Sequence, residues 1–285
     1  MNTSVDSELR DICGDAIKLI RPQIDKISSY EWCGSTELER FEFVKRAAVV
    51  RQFEAAKASM LLVESGHAAI GVSMLRPAFE ELVWIHYLSS IGSQANDLVR
   101  LLTAKELRET FDAQNDYLGQ RTMRELGFTK RLCLAINKNV KDPHVRLKEF
   151  GQASGWRQGS VQPSMSFVCD KVQRTSQYRY IYQATSRSVH FSPYELQRRV
   201  WGEYGRVSIG SNNFEGYWSE FLLSWAFRFL IETLIFAGFT DEIEARQREG
   251  TDEMIRVIEG LRPVQILTAE ELAAWDEPNR KTLGI

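Results

Sequence analysis

The sequence predicts an all-α protein: a multi-helix bundle with a long antiparallel helical hairpin and at most one short β-hairpin, near residues 200–209. Three observations carry this. Apolar residues recur at helical spacing in one segment after another, whereas β-favouring residues punctuated by glycines occur only in VWGEYGRVSI at 200–209. Two long helical segments, 36–65 and 67–91, are joined only by a turn at Gly66, which requires antiparallel neighbours. Finally, 285 residues with 44% hydrophobic content can fill a sizeable core. One domain over residues 1–285 is expected. Residues 36–240 form its core bundle, with an N-terminal helix (1–35) and a C-terminal tail (241–285) at the periphery.

The elements follow in order. Leu9, Ile12, Ala16, Ile20, Ile24 and Ile27 predict a first helix over 5–27, with Pro22 as a kink or break. Ser35 with Glu37 and Glu39 offers an N-cap and an acidic first turn for the next helix. That helix places Phe41, Val44, Ala48, Phe53, Ala56, Met60 and Val63 on or near one face. The stretch His67 to Ser90 is apolar on nearly every side, so it reads as a mostly buried helix. Pro77 cannot donate to the Ser73 carbonyl and predicts a kink there. Residues 96–119 form another amphipathic helix, which places Leu98, Leu101, Leu102, Leu107, Phe111 and Tyr117 between polar residues and closes at Gly119. Short basic helices follow, with breaks at Gly127 and at Asp142-Pro143. A long Gly/Ser-rich loop is expected over 151–170. The helical pattern returns from 171 to 190, and Ser192-Pro193 ends it. The most hydrophobic helix spans 213–239. Arg228 and Glu232, at i, i+4 near its middle, argue against a membrane span and for a buried bundle helix or dimer seam. Thr268 to Glu271 form a capping box for a last short helix.

The net charge of −2 hides an asymmetry. Residues 121–210 carry 16 Lys and Arg against 6 Asp and Glu; residues 1–120 carry 13 against 18, and residues 211–285 carry 7 against 14. A basic middle between acidic ends fits an anionic partner such as nucleic acid, or internal complementarity between the basic and acidic thirds. Cys13, Cys33, Cys133 and Cys169 form no CxxC pair, so neither a zinc site nor a disulfide framework is indicated. HExxH, Gly-x-Ser-x-Gly, Walker and Rossmann patterns are absent, so no metal and no cofactor is expected. The N-terminus lacks a basic start followed by an apolar run, and a cytoplasmic protein is expected.

Two clusters could carry chemistry. Arg76 and Glu80 share one face of an apolar helix, either as a buried ion pair or as part of a site. On the 171–190 helix, Tyr178, Tyr182, Thr185 and Val189 share one face, while Arg179, Gln183, Ser186 and His190 line another. His190 falls in the last turn, where the helix end favours its protonated form. Arg187 lies three residues before it, and Ser186 is placed to hydrogen-bond the ring. An imidazole beside a guanidinium suits binding a phosphate and moving a proton; a plain capping His among solvated arginines is the alternative. Tyr178 and Tyr182 are core rings or hydroxyl donors into the same cleft.

The arrangement Arg76-x3-Glu80, then Tyr178-x3-Tyr182-x3-Ser186-x3-His190, resembles a family of uncharacterised all-helical bacterial proteins. That family is similar to the HEPN-type helical bundles of defence and toxin systems. The resemblance covers residues 45–240. Many HEPN proteins are metal-independent ribonucleases that dimerise to join two Arg-x4-6-His motifs. Here none of His67, His86, His144 or His190 has an Arg five to seven positions before it, and Arg187 to His190 is tighter. The resemblance therefore implies a binding or regulatory protein of a bacterial defence or stress system. It would engage an anionic partner, RNA or a nucleotide, through residues 121–210. A homodimer or a protein partner is expected because the 213–240 helix is apolar enough to need a large covering surface, and no membrane is expected. Arg179, Tyr178, Tyr182 and Ser186 would contact the ligand. The alternative is a metal-independent ribonuclease, with His190 as general acid/base, Arg187 and Arg76 on the phosphate, and Glu80 orienting Arg76. In a third reading the pairs only hold the bundle together.

Overall fold

In the computed structural model of the chain, the described residues are 3–30, 40–138, 141–203, 206–210, 213–240, 261 and 264–266. Cys33, the cap expected at Ser35 and the capping box at 268–271 lie outside them. The elements in order are α1 (Thr3–Ser28), α2 (Arg40–Glu64), α3 (Ala68–Gly71), a 3-10 turn (Val72–Met74) and α4 (Leu75–Ser90). Next come α5 (Gln94–Glu125), α6 (Lys130–Lys138), α7 (Lys141–Ser154), α8 (Met165–Lys171) and α9 (Thr175–Val189). The chain continues through α10 (Pro193–Gln197), β1 (Val200–Glu203), β2 (Arg206–Ile209) and α11 (Glu215–Ala237). The fold is all-α, and the one β-hairpin among the described residues pairs Val200 with Ile209 and Glu203 with Arg206.

The chain divides into two compact units. The first comprises residues 1–30, 47–82 and 174–285; the second comprises 31–46 and 83–173. In the first, α11 is the centre: 15 of its 23 residues are buried, and it packs against α1, α3 and the 3-10 turn. The apolar surface that suggested a dimer seam is thus covered within the chain. Gly71 allows the close approach of α3. A Cβ there would sit 2.4 Å from Leu222 Cδ2 and 3.0 Å from Leu62 Cδ1. Arg228 and Glu232 do not pair with each other along α11, as their spacing suggested. Arg228 donates to the Leu261 carbonyl at 3.1 Å, and Glu232 takes Arg174 at 2.5 Å.

α1 runs through Pro22 without interruption and buries Leu9, Cys13, Ala16, Ile20, Ile24 and Ile27. Cys13 rather than Ile12 faces inward, and burial pushes its thiol up to about 12, so it stays protonated and inert. α2 ends as its pattern predicts, with Gly66 at φ +73. The long helix expected over 67–91 is instead interrupted by the 3-10 turn at Val72–Met74, and Pro77 lies in the first turn of α4. The ring cannot bond back to Ser73, and a new helix starts where its missing N–H is harmless. Gln52, buried, joins the two arms by donating to the Ala78 carbonyl at 2.7 Å.

In the second unit, Asn96 Oδ1 accepts from the Phe41 N–H at 2.8 Å, satisfying an orphan donor of the first turn of α2. α5 breaks at Gly119, where φ is +73. Leu107 and Tyr117, expected on its apolar face, are exposed. The long loop expected over 151–170 is a correction: α7 extends to Ser154 and α8 begins at Met165. Gly155, at φ +78, ends α7, and the Trp156 N–H returns to the Gly151 carbonyl at 2.7 Å. Gly151 is a helix glycine whose bare backbone receives the Trp156 ring, 2.4 Å from where a Cβ would stand. A cleft of about 310 Å³ lies between the ends of α4, α7 and α8, lined by Tyr87, Gln94, Phe150, Ser154 and Lys171 among others. No described helix is long and apolar enough to cross a membrane.

Candidate functional site

All eight residues singled out in the sequence fall in the first unit, on α4 and on α9 with its C-terminal end. α9 begins later than its pattern suggested. Gln173, at φ +59, separates it from α8. Ile181 and Thr185 are fully buried and fix the inner face of α9, so Tyr178 and Tyr182 flank that face half-buried. Val189, expected with them, is 50% exposed.

Four of the eight come together. Arg76 Nε donates to Glu80 Oε1 at 3.0 Å, and the guanidinium carbon lies 4.8 Å from the centre of the Tyr182 ring. Tyr182 is 5.7 Å from Tyr178, and Tyr178 stacks on Phe79 at 6.4 Å. The Arg76 and Glu80 side chains keep 26% and 33% of their surface. The pair is therefore half-open, not buried, and such an i, i+4 pair contributes only about 0.3–0.5 kcal/mol. One turn of polar surface thus offers a guanidinium set over an aromatic ring, beside a second aromatic.

The neighbouring carboxylate is held more tightly. Glu81 accepts from Arg51 at 2.6 Å and from Gln52 at 3.2 Å. Burial raises its pKa above the ordinary carboxylate range, and Arg51 and Gln52 oppose that rise.

Arg179 and Gln183 are exposed on α9. His190 is exposed and has left the helix. Its backbone is extended, with φ −113 and ψ 159, and its N–H donates to the Ser186 carbonyl at 3.1 Å. Tyr182 and His190 are eight residues apart, roughly 12 Å along the axis. Arg187 turns away to Tyr194, with its guanidinium carbon 4.4 Å from that ring.

Tyr194 opens onto a cluster that the sequence reading did not find. Arg198 is 9% exposed. It lies 4.3 Å from the Trp218 ring, 5.3 Å from Tyr217 and 5.7 Å from Tyr194. Glu195, also buried, is 3.9 Å away. The signal for its scaffold stood in the sequence as Ser192-Pro193-x-Glu195. Ser192 Oγ accepts from the Glu195 N–H at 3.3 Å, and Pro193 takes the first turn. Ser192-Pro193 therefore starts α10 as well as closing α9.

The basic block is divided between the units. Residues 121–173 carry ten Lys and Arg against four Asp and Glu; residues 174–210 carry six against two. Part of it is neutralised internally: Arg174 by Glu232, Arg198 by Glu195, and Arg146 by Asp97 at 3.1 Å. Arg179 on α9 and His190 just beyond its end stay in solvent. No three His, Cys, Asp or Glu side chains converge on a metal position among the described residues.

A profile described as "Family of unknown function (DUF5677)" matches residues 42–205, more than half of the chain. The chain belongs to this family. The matched stretch contains α3 to α10, with Arg76, Glu80 and all of α9, and stops inside the β-hairpin. No curated protein and no solved structure matches the chain.

Proposed function

We propose that this DUF5677 chain is a HEPN-like binding or regulatory protein of a bacterial defence or stress system. It works in the cytoplasm as a homodimer and engages an anionic partner, RNA or a nucleotide. The observation that supports this most is the half-open Arg76 guanidinium on the Tyr182 ring, on a helix that also presents Arg179 to solvent. A base can stack on the flanking aromatic surface while the guanidinium and Arg179 take phosphate charge. Glu80 holds the guanidinium in plane, and Tyr178 and Ser186 complete the polar edge.

The test is fluorescence anisotropy with a labelled single-stranded RNA, in chelator, over a salt series. Affinity is expected to fall as salt rises, and Arg76→Ala with Arg179→Ala is expected to weaken it at least tenfold. Salt-independent retention, or retention unchanged in the double variant, would sink this reading. The ribonuclease alternative is tested in the same tubes. His190 is solvent-exposed, with Arg187 three residues before it, so cleavage without metal that is lost in His190→Ala would replace binding by catalysis.

A further inference from the structure

Six large apolar side chains between residues 189 and 209 face solvent. They are Phe191 at 86%, Ile209 at 79%, Val207 at 58%, Leu196 at 51%, Val189 at 50% and Val200 at 42% exposed. They belong to one neighbourhood, because α10 packs against both α9 and β1, and β1 pairs with β2. Val200 and Ile209 are direct cross-strand partners, and Val207 lies two residues from Ile209, so all three share one face of the ribbon. A β-ribbon normally turns its apolar face onto a core; this one turns it outward.

The ribbon is also incomplete as a sheet. Among the described residues it has two strands and no third, whereas a free-standing hairpin is at best marginally stable and needs further strands or a helix packed on it. β1 lies against α10.

We infer that this face is covered by a second copy of the same chain, the two ribbons packing face to face about a two-fold axis. A contact of one face with its own copy is isologous, so it closes at two copies. The area fits. At their exposures the six side chains present on the order of 600 Å² of apolar surface, the upper end of the largest patch on a typical monomer and most of the ~800 Å² each partner commits to a standard interface. The surrounding polar rim supplies the remainder. This deepens the dimer in the reading above by giving it a surface, and it is measured without nucleic acid, so RNA binding can fail while the dimer stands.

The experiment is light scattering on the eluting full chain over a concentration series. The native chain is expected at twice its 32.8 kDa. Ile209→Glu and Phe191→Glu, each checked for unchanged circular dichroism, are expected to give the single-chain mass at the same concentration. Leu107→Glu, at a residue 67% exposed on α5, is expected to stay dimeric and controls for charge alone. A native chain of single mass up to about 100 µM would overturn the proposal and leave the face to another occupant, such as a different protein or a segment of the same chain. A dimer that survives both Ile209→Glu and Phe191→Glu would overturn it as well, because the contact would then lie elsewhere.

Discussion

Arg76 and Arg198 are both guanidiniums laid over tyrosine rings in the first unit, yet they do different work. Arg198 is 9% exposed, enclosed by Trp218, Tyr217 and Tyr194, with Glu195 as its counter-charge. Arg76 keeps 26% of its side-chain surface, with one ring and one carboxylate beside it. A desolvated cation over several rings stabilises the fold and has no face left for a ligand. A half-open one contributes little to stability and can still be reached. The same chemistry is a fastening in one place and a candidate site in the other, and burial decides which.

The sharpest way to break this comparison is Arg198→Ala. It removes the cation beside buried Glu195 and opens a void among three aromatic rings, so a loss of about 2–5 kcal/mol is expected in urea unfolding. A loss under 1 kcal/mol would show that the cluster does not fasten α10. Arg198→Lys keeps the charge and loses the planar stacking, so an intermediate loss of about 1–2 kcal/mol is expected. Arg76→Ala should cost about 1 kcal/mol or less, the scale of an exposed cation–π contact and an i, i+4 pair. Its effect should appear instead in the salt-dependent RNA titration. A large stability loss with unchanged binding would make Arg76 another fastening.

The smallest effect concerns Glu81, next to Glu80 on α4. Its folded-state pKa is raised, chiefly by burial. A carboxyl raised by folding contributes most stability when protonated, and that contribution is lost as pH rises from the ordinary carboxylate value through the raised one. Glu81→Gln should therefore flatten the decline in unfolding free energy over that window, measured by urea titrations at successive pH values. A slope equal to that of the native chain would remove Glu81 from the account.

Much of the fold was legible because it rests on local chemistry. Gly66, Gly119 and Gly127 punctuate helices wherever the backbone needs positive φ, and the glycines of 200–209 mark the hairpin. What stayed hidden depends on partners far along the chain. Gly151 looked like a loop residue because its role is set by Trp156 folding back on it. Arg228 and Glu232 looked like a pair because nothing local names Leu261 and Arg174 as the closer partners. Arg198 was passed over because its cage comes from Tyr217 and Trp218, about twenty residues later. Of the candidate site, the spacing placed Tyr178 and Tyr182 together on α9. It could not place Arg76 against Tyr182, which is a meeting of two helices, nor turn Arg187 toward Tyr194.

The first half of α11 has a consequence for how this chain can vary. From Tyr217 to Ser224 every residue but Glu220 is buried, so the helix there has scarcely any outward side. A saturating substitution scan would find the usual three-to-four-residue rhythm of tolerance along α1, where one stripe faces inward. Along 217–224 the rhythm would vanish and nearly every polar replacement would fail. Such a segment has almost no room to acquire new surface chemistry, and novelty in this chain must be written on the helices around it.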